Sequence, residues 1–259
     1  MLRLRVLTVA VLLPAFAAAA WWLPGAAWGL LVFALTLLGA VEWLRLCGCN
    51  RAISALFCGV LGLLCFAAYA DARVGYAGLA VSVVFWCLGV PWLLWRKPRL
   101  GGGALAMIAG CTVLAPLWYA LYVLQARPGL MLALLAVIWI SDSAAYGAGH
   151  ACGRHKLAPA ISPGKTWEGV GGALVAVAVY ATVFHFWWFP SIAPELVLAG
   201  FLAMAVLGIL GDLYESLLKR QAGVKDSGTL LPGHGGVLDR VDALTAAVPL
   251  AALLFGELR

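Results

Sequence analysis

Nine apolar stretches follow one another along this 259-residue chain, and each has about the length that a helix needs to cross a membrane. About 20 mainly apolar residues span the hydrocarbon core of a bilayer, with a range near 17–25. By this rule the predicted spans are 6–23, 26–44, 52–70, 74–95, 103–124, 130–150, 169–189, 195–217 and 240–257. The sequence therefore predicts an all-α integral membrane protein with about nine transmembrane helices.

Composition argues against a soluble fold. Hydrophobic residues make up 64% of the chain and charged residues 11%, whereas a soluble domain carries roughly 25% charged residues. The net charge of +6 could suggest a nucleic-acid partner, but the basic residues lie between membrane spans, so no nucleic acid is expected. We predict one polytopic membrane domain over 1–259, with N-terminal helices in 1–125 and the catalytic helices and cytosolic loops in 126–259.

Lysine and arginine predict the orientation, because cytoplasmic loops carry an excess of both. With the N-terminus inside, 14 of the 17 basic residues fall on the inner side, and only Arg73, Arg127 and Arg259 fall outside. We therefore predict a cytoplasmic N-terminus and an outer C-terminus. The first residues resemble a cleavable secretory signal, but further spans follow, so we expect an uncleaved first helix. The compact chain suggests the bacterial cytoplasmic (inner) membrane.

Two predicted cytosolic segments, 151–168 and 218–239, differ from the rest of the chain. Both are long and polar, and both concentrate charges, glycines and prolines. The seven cysteines are instead scattered through apolar runs, which is poor support for a disulfide framework or for a metal site at Cys47 and Cys49. We expect the active site to face the cytosol at the two polar segments.

Carboxylates at the predicted spans give the strongest functional signal, because ionisable groups within a membrane are costly and usually functional. Asp142 lies in the sixth span, Asp212 near the inner end of the eighth, and Asp239 and Asp242 at the start of the ninth. The chain direction places all four at similar depth on the cytosolic side. Polar pairing between helices is the alternative interpretation for any one of them.

Helical spacing groups further residues with these carboxylates. Asp212, Ser216 and Lys219 follow at i, i+4 and i+7, and they therefore share one helix face. Asp239 and Asp242, at i and i+3, also share a face. Carboxylates without a cysteine or histidine cluster suit a hard cation such as Mg²⁺, which rests on one or two carboxylates and takes further oxygens from a substrate phosphate.

Basic residues beside the carboxylates indicate a phosphate-bearing substrate. They are Lys165, Lys219, Arg220 and Lys225. The glycines of 233–236 would let backbone N–H groups approach an anion, and His234 either donates to a phosphate or is a loop histidine without a special role. The segment 164–166 resembles the end of a P-loop, but Pro159 stands where the first glycine is required.

Residues 216–242 resemble the signature of the phosphatidate cytidylyltransferase family, whose members are also called CDP-diacylglycerol synthases. The chain agrees with that signature at every position over 27 residues: Ser216-Leu-Leu-Lys219-Arg220, Lys225-Asp226, and Leu231-Pro232-Gly-His234-Gly235-Gly236-Val-Leu-Asp239-Arg240-Val-Asp242. Residues 156–159 and 162–169 are similar to the family's other cytosolic loop, and Asp142 fits its usual context. His150-Ala151 and Ala160 depart from basic residues common in the family, which affects the detail of phosphate contacts.

The resemblance implies that CTP and phosphatidic acid react at the membrane to give CDP-diacylglycerol and pyrophosphate. It implies catalytic roles for Asp142, Asp212, Ser216, Lys219 and Asp239, with Asp212 and Asp239 as the ligands of Mg²⁺. A second cation is left open, and so is the oligomeric state, with a homodimer as one alternative. The implied substrate-binding residues are Lys165, Arg220, Lys225, Asp226, His234, Arg240 and Asp242.

Two alternatives remain. Another membrane enzyme that uses CTP, such as a lipid-alcohol kinase or a cytidylyltransferase for a different phospholipid, would share much of the chemistry. A transporter would also place aspartates within spans, but it predicts polar residues in the outer halves of the spans and inverted repeats. We find neither, since Asp71, Glu195 and Glu257 lie at the ends of predicted helices.

Overall fold

A computed structural model describes residues 2–230 and 235–256, with the side chains of residue 8 and of residues 10–230 and 235–256. Within these residues the chain forms long helices and one short β-hairpin. The elements are α1 (Leu2–Trp22), α2 (Gly25–Leu46), α3 (Arg51–Ala70), α4 (Ala72–Val84), a π-helical turn (Phe85–Gly89), α5 (Val90–Arg96), α6 (Ala104–Leu124), α7 (Pro128–Cys152), β1 (Lys156–Ala158), β2 (Ser162–Thr166), α8 (Trp167–Trp188), α9 (Pro194–Gln221) and α10 (Leu238–Phe255).

Each predicted span coincides with a helical segment, and α4, the π-helical turn and α5 together form the segment predicted as 74–95. By length and composition, seven segments of the described chain are able to cross a membrane: 25–46, 51–70, 72–96, 104–124, 128–152, 167–188 and 194–221. This confirms the all-α membrane class. In α1 the apolar stretch is shorter, Ala10–Trp22, and α10 has three charged residues in its first turns.

Local chemistry explains where several helices begin. The side chains of Asn50, Asp71 and Thr166 accept hydrogen bonds from the first free backbone N–H groups of α3, α4 and α8, groups that have no partner within the helix. Pro128 and Pro194 stand at the first positions of α7 and α9, where a missing N–H costs nothing. The starts of these five helices are therefore explained by capping side chains and by proline.

Helix α6 lies at the centre of the bundle and packs against α2, α3, α4 and α10. Indole N–H groups connect it to α2: Trp28 donates to the Leu121 carbonyl at 3.0 Å, Trp43 donates to the Ala106 carbonyl at 3.0 Å, and Trp118 donates to the Gly29 carbonyl at 2.9 Å. In lipid, where burial of apolar surface provides little drive between helices, such bonds and close packing stabilise the bundle.

Helices α9 and α10 approach each other closely where they carry the predicted site. A Cβ atom at Gly211 would stand 2.5 Å from the carbonyl oxygen of Asp242 and 3.0 Å from the Cα of Ala243. Only glycine leaves room for backbones this close, a common device between membrane helices. The absence of a side chain at Gly211 thus brings Asp212 and Asp242 to the same place in the bundle.

The predicted cytosolic segment 151–168 contains a hairpin that the sequence did not indicate. Strands β1 and β2 pair in antiparallel fashion, with Lys156 opposite Thr166 and Ala158 opposite Ser162. Strand β2 packs against α7, α8 and α9, so Lys165 is carried by a strand rather than by an irregular loop. The hairpin is held at its base, where Glu168 accepts hydrogen bonds from the backbone N–H of His155 and contacts its ring at 2.7 Å.

Candidate active site

The four predicted aspartates come from three helices. Asp142 lies on α7, Asp212 on α9, and Asp239 and Asp242 on the first turns of α10. Two distinct arrangements hold them. We call Asp142, Lys165, Asp212 and Ser216 the open cluster. The closed cluster consists of Glu42, Glu215, Lys219, Ser227 and Asp239.

The open cluster is centred on an ion pair between the hairpin and α9. Lys165 Nζ lies 2.6 Å from Asp212 Oδ2, and the two side chains are 23% and 33% exposed. Asp212 Oδ1 accepts a hydrogen bond from Ser216 Oγ at 3.2 Å, as their i, i+4 spacing predicted. Asp142 is exposed and lies close enough to interact electrostatically with both Asp212 and Lys165. Since a carboxylate has about four lone-pair sites, Asp212 can still accept further partners.

The closed cluster is centred on Lys219. Its Nζ lies 2.8 Å from Glu215 Oε2 and 2.7 Å from Asp239 Oδ1, and the exposed fractions of the three side chains are 12%, 5% and 4%. The second oxygen of Asp239 accepts three hydrogen bonds, from Ser227 N at 2.9 Å, Ser227 Oγ at 3.0 Å and Gly236 N at 2.8 Å. Asp239 therefore keeps only Oδ1, beside Lys219, for any further interaction.

Asp242 connects the two clusters. It interacts electrostatically with Asp212 of the open cluster and with Glu215 of the closed cluster. Its Oδ1 also accepts a hydrogen bond from the backbone N–H of Ala243 at 2.7 Å. Carboxyl groups thus outnumber lysines around Lys165 and Lys219; they are Asp142, Asp212, Glu215, Asp239 and Asp242.

The donor set fits a hard divalent cation. The candidate ligands are all carboxylate oxygens, which suit Mg²⁺. Across residues 2–230 and 235–256, no three His, Cys, Asp or Glu side chains are close enough to hold a metal ion by themselves. Mg²⁺ commonly rests on one or two carboxylates and completes its shell with water and substrate oxygens.

The other predicted substrate-binding residues differ in their surroundings. Arg220 donates from Nε to the Ile161 carbonyl and from Nη1 to the Val224 carbonyl, both at 3.3 Å, so it ties the end of α9 to the hairpin turn. Lys225, Asp226 and Arg240 are exposed. His234 lies outside the described residues.

Glu42 was missed by the sequence analysis. It lies on α2, far from the signature along the chain, and it is 4% exposed. It accepts hydrogen bonds from the backbone N–H groups of Val237 and Leu238 at 3.0 and 2.7 Å, and its Oε2 lies 2.9 Å from Ser227 Oγ, whose single proton it shares with Asp239 Oδ2. The signal that could have found it is a carboxylate inside the second predicted span. Glu215, which directly precedes Ser216 in the sequence, likewise belongs to the closed cluster.

A cavity of about 380 Å³ lies between α5, the hairpin and α9. Its lining is mainly apolar and comes from the end of α5, from the hairpin and from α9: Leu94, Trp95, Lys97, Leu157, Ala158, Pro159, Ala160, Ile161 and Leu213. Leu213 follows Asp212 directly, and the hairpin also carries Lys165. The cavity therefore shares two elements with the open cluster.

Comparison with known proteins gives consistent matches. The model of the cytidylyltransferase family matches residues 3–257. A phosphatidate cytidylyltransferase of Pseudomonas aeruginosa is 38% identical over 262 aligned residues, which cover 98% of this chain and 97% of that protein. The enzymes of the same name from Haemophilus influenzae and Brucella suis are 46% and 49% identical over 130 and 132 residues, about half of this chain and 45% and 46% of those proteins.

Proposed function

This chain belongs to the cytidylyltransferase family, and from that premise we propose that it transfers the cytidylyl group of CTP to phosphatidic acid. The products are CDP-diacylglycerol and pyrophosphate, and the enzyme works in phospholipid biosynthesis. The observation that carries the proposal is the pair of clusters, where carboxyl groups of α7, α9 and α10 meet Lys165 of the hairpin and Lys219 of α9. The full-length match to a phosphatidate cytidylyltransferase supports the choice of substrates.

The reaction needs positioning more than a strong base. An oxygen of the lipid phosphate attacks the α-phosphorus of CTP, a new P–O bond forms, and the bond between the α-phosphorus and the bridging oxygen breaks to release pyrophosphate. A phosphate monoester is already largely ionised at pH 7, so no residue has to remove a proton from it. Catalysis then depends on bringing two anions together in line and neutralising the charge they share.

Lysines and arginines perform the neutralisation in this proposal. Lys165 is partly exposed and sits at the rim, where it can leave Asp212 to contact a phosphate oxygen. Lys219 is held by two carboxylates and contributes a fixed positive charge below the reacting groups. Lys225 and Arg240 are exposed and free to approach the triphosphate from the cytosolic side. Arg220 fixes the hairpin turn, and through it the position of Lys165.

We propose Asp212 and Asp239 as the ligands of Mg²⁺, with Asp142 and Asp242 in support. Asp212 has free lone pairs, and Asp239 keeps its Oδ1 beside Lys219. When bound, the metal would withdraw charge from the triphosphate and make the α-phosphorus more electrophilic. The surplus of carboxyl groups over lysines supports this assignment, and removal of the metal is its direct test.

Nine crossings with the N-terminus inside are also a proposal. The side chain of Gln125, after α6, donates to the carbonyls of Ala20 and Leu23 at the end of α1, and that of Gln221, at the end of α9, donates to the Pro98 carbonyl after α5. The C-terminal ends of α1 and α6 therefore lie on one side, and those of α5 and α9 lie together as well. Both pairings agree with the proposed topology, in which the first two ends are outside and the other two are inside. Exposed tryptophans lie at both ends, with Trp22 and Trp187 at one and Trp95 and Trp167 at the other, as in the aromatic belts of membrane proteins.

The proposed location is the bacterial inner membrane. Cysteine-labelling from each side of sealed vesicles tests the topology. Labels at 99 and 225 should react only from the cytosolic side, and a label at 127 only from the other. The homodimer is a further prediction, checked by measuring the mass of the protein in lipid nanodiscs.

The apolar cavity suits the glycerol and the first acyl carbons of phosphatidic acid. It lies beside the hairpin, has the apolar lining typical of ligand pockets, and carries Lys97 at its edge. A lipid held there would present its phosphate toward Lys165 and Asp212. This placement lets the lipid remain partly in the bilayer while CTP approaches from the cytosol.

An assay with purified protein tests the function. We expect CDP-diacylglycerol and pyrophosphate to form in equal amounts from CTP and phosphatidic acid with Mg²⁺, and formation to stop with EDTA. Asp239→Asn should lower the rate at least about 100-fold, while Asp71→Asn, at the α3–α4 turn, should leave it unchanged. Phosphorylation of a lipid alcohol by CTP, or no product from folded protein, would contradict the proposal.

A further inference from the structure

Glu42 is a buried carboxylate on a helix of the N-terminal half of the chain, where the sequence showed no functional motif. It is 4% exposed and lies close to the C-terminal end of α2. No lysine, arginine or histidine of the described residues forms an ion pair with it. An unpaired buried charge is costly, so other groups must compensate for it.

The compensation comes from the start of α10. Val237 N–H donates to Glu42 Oε1, and Leu238 N–H donates to Oε2. These N–H groups have no partner within the helix, and the end of the helix carries a partial positive charge. A helix N-terminus that could receive a substrate phosphate is therefore occupied by a carboxylate of the protein itself.

A second contact connects Glu42 to the catalytic aspartate. Ser227 Oγ lies 2.9 Å from Glu42 Oε2 and 3.0 Å from Asp239 Oδ2. Asp239 Oδ2 is also fixed by the backbone N–H groups of Ser227 and Gly236. A Cβ atom added at Gly228 or Gly236 would collide with the Glu42 carboxylate, so the chain on both sides of residues 231–234 lies directly against it.

We propose that Glu42 is a positioning residue for cytidylyl transfer. It holds Ser227 and the Gly236–Leu238 segment against α2, and these in turn hold Asp239 Oδ2, so that Oδ1 faces Lys219 and the reacting groups. Glu42 contacts no substrate in this arrangement; it acts through Asp239. The inference rests on the proposed function, because it concerns the same site.

The variant Glu42→Gln tests the proposal, because it keeps the shape of the side chain but replaces one accepting oxygen by an NH₂ group that faces donors. We expect kcat to fall about 10- to 100-fold, with the KM for CTP within about threefold of the unmodified enzyme. Hydrogen–deuterium exchange should rise in residues 226–230 and 235–238 and stay unchanged in α6. In an Asp239→Asn background the same substitution should lower the residual rate by less than about twofold, since residues that act through one another are not additive.

Two further variants keep the test decisive. Thr36→Val removes another buried polar group of α2, one that bonds only to the Val32 carbonyl of its own helix, and we expect kcat and exchange to stay unchanged. Ser227→Ala removes the bridging hydroxyl alone, and we expect the same local rise in hydrogen–deuterium exchange with a smaller loss of kcat. This variant tests the proposal even if Glu42→Gln does not fold.

The proposal would be overturned if hydrogen–deuterium exchange in residues 226–230 and 235–238 stayed unchanged in Glu42→Gln. It would also be overturned if exchange rose evenly over the protein while each folded molecule kept its full kcat. If the unmodified protein formed no CDP-diacylglycerol, the proposed function would fail instead, while the exchange data would still report whether Glu42 holds this segment.

Discussion

The open and closed clusters contain the same kinds of residue but use them differently. In the open cluster Lys165 and Asp212 are about a quarter to a third exposed, and Asp212 has two partners in all. In the closed cluster Lys219 and Asp239 are 12% and 4% exposed, and the two oxygens of Asp239 accept four hydrogen bonds between them. The open cluster is therefore available to substrates and metal, whereas in the closed cluster Asp239 Oδ2 is held in place and only Oδ1, beside Lys219, is left for a metal.

The difference also separates two kinds of energetic effect. Breaking a buried ion pair by removing one partner costs about 3–5 kcal/mol, because a charge is left uncompensated. Breaking an exposed pair costs about 0–1 kcal/mol. Substitutions in the closed cluster should therefore affect folding and activity together, and substitutions in the open cluster should affect activity alone.

Replacing each lysine by methionine gives the largest expected contrast. Lys219→Met leaves Glu215 and Asp239 buried beside each other without a cation, so we expect a loss of about 3–5 kcal/mol in the free energy of unfolding and no measurable activity. Lys165→Met should lose at most about 1 kcal/mol while its kcat/KM for CTP falls at least about tenfold. Thermal unfolding in detergent measures the loss of stability, and initial rates measure the loss of activity. Equal losses of stability in the two variants would remove the distinction between the clusters.

The glycine between the clusters provides a second contrast. Gly211→Ala places a methyl group against the backbone of α10, and overpacking of this kind costs about 1–3 kcal/mol. Because the substitution moves Asp212 away from Asp242, we expect activity to fall by more than the stability loss alone would cause. Gly171→Ala is the matched control, since its Cβ meets no atom within 4 Å, and it should be neutral or stabilising. Rates per folded molecule that match in the two variants would show that close approach is unimportant.

The smallest expected effect concerns the cavity on the open side. Ala158→Trp fills part of the space between α5 and the hairpin, and we expect the KM for phosphatidic acid to rise about three- to tenfold with little change in the KM for CTP. Ala104→Trp, at the exposed start of α6, serves as the control. A rise in the KM for CTP alone would assign the cavity to the nucleotide instead.

Much of the molecule could be predicted from the sequence, because a bilayer imposes a length and a polarity on every span. The predicted spans coincide with helices, and the aspartates of α7, α9 and α10 do meet. The hairpin was not predicted, since its strands are three and five residues long and one contains a proline and a glycine. Local spacing also could not show which lysine pairs with which carboxylate.

Glu42 shows most clearly which part of the site could not be predicted from the sequence. Its partners are a hydroxyl 185 residues away and two backbone N–H groups 195 and 196 residues away. Backbone donors carry no residue identity, so no motif records them. Only the packing of α2 against α10 shows why a carboxylate inside the second span is tolerated there.

The most direct test of the central claim is the rate of CDP-diacylglycerol formation by Asp212→Asn across a range of Mg²⁺ concentrations, beside the unmodified enzyme. We expect a kcat at least about 100-fold lower at every concentration, from protein that unfolds within a few degrees of the unmodified enzyme, because Asp212 lies in the open cluster. A rate within about threefold of the unmodified enzyme, with an unchanged Mg²⁺ dependence, would contradict the assignment of the chemistry to this cluster.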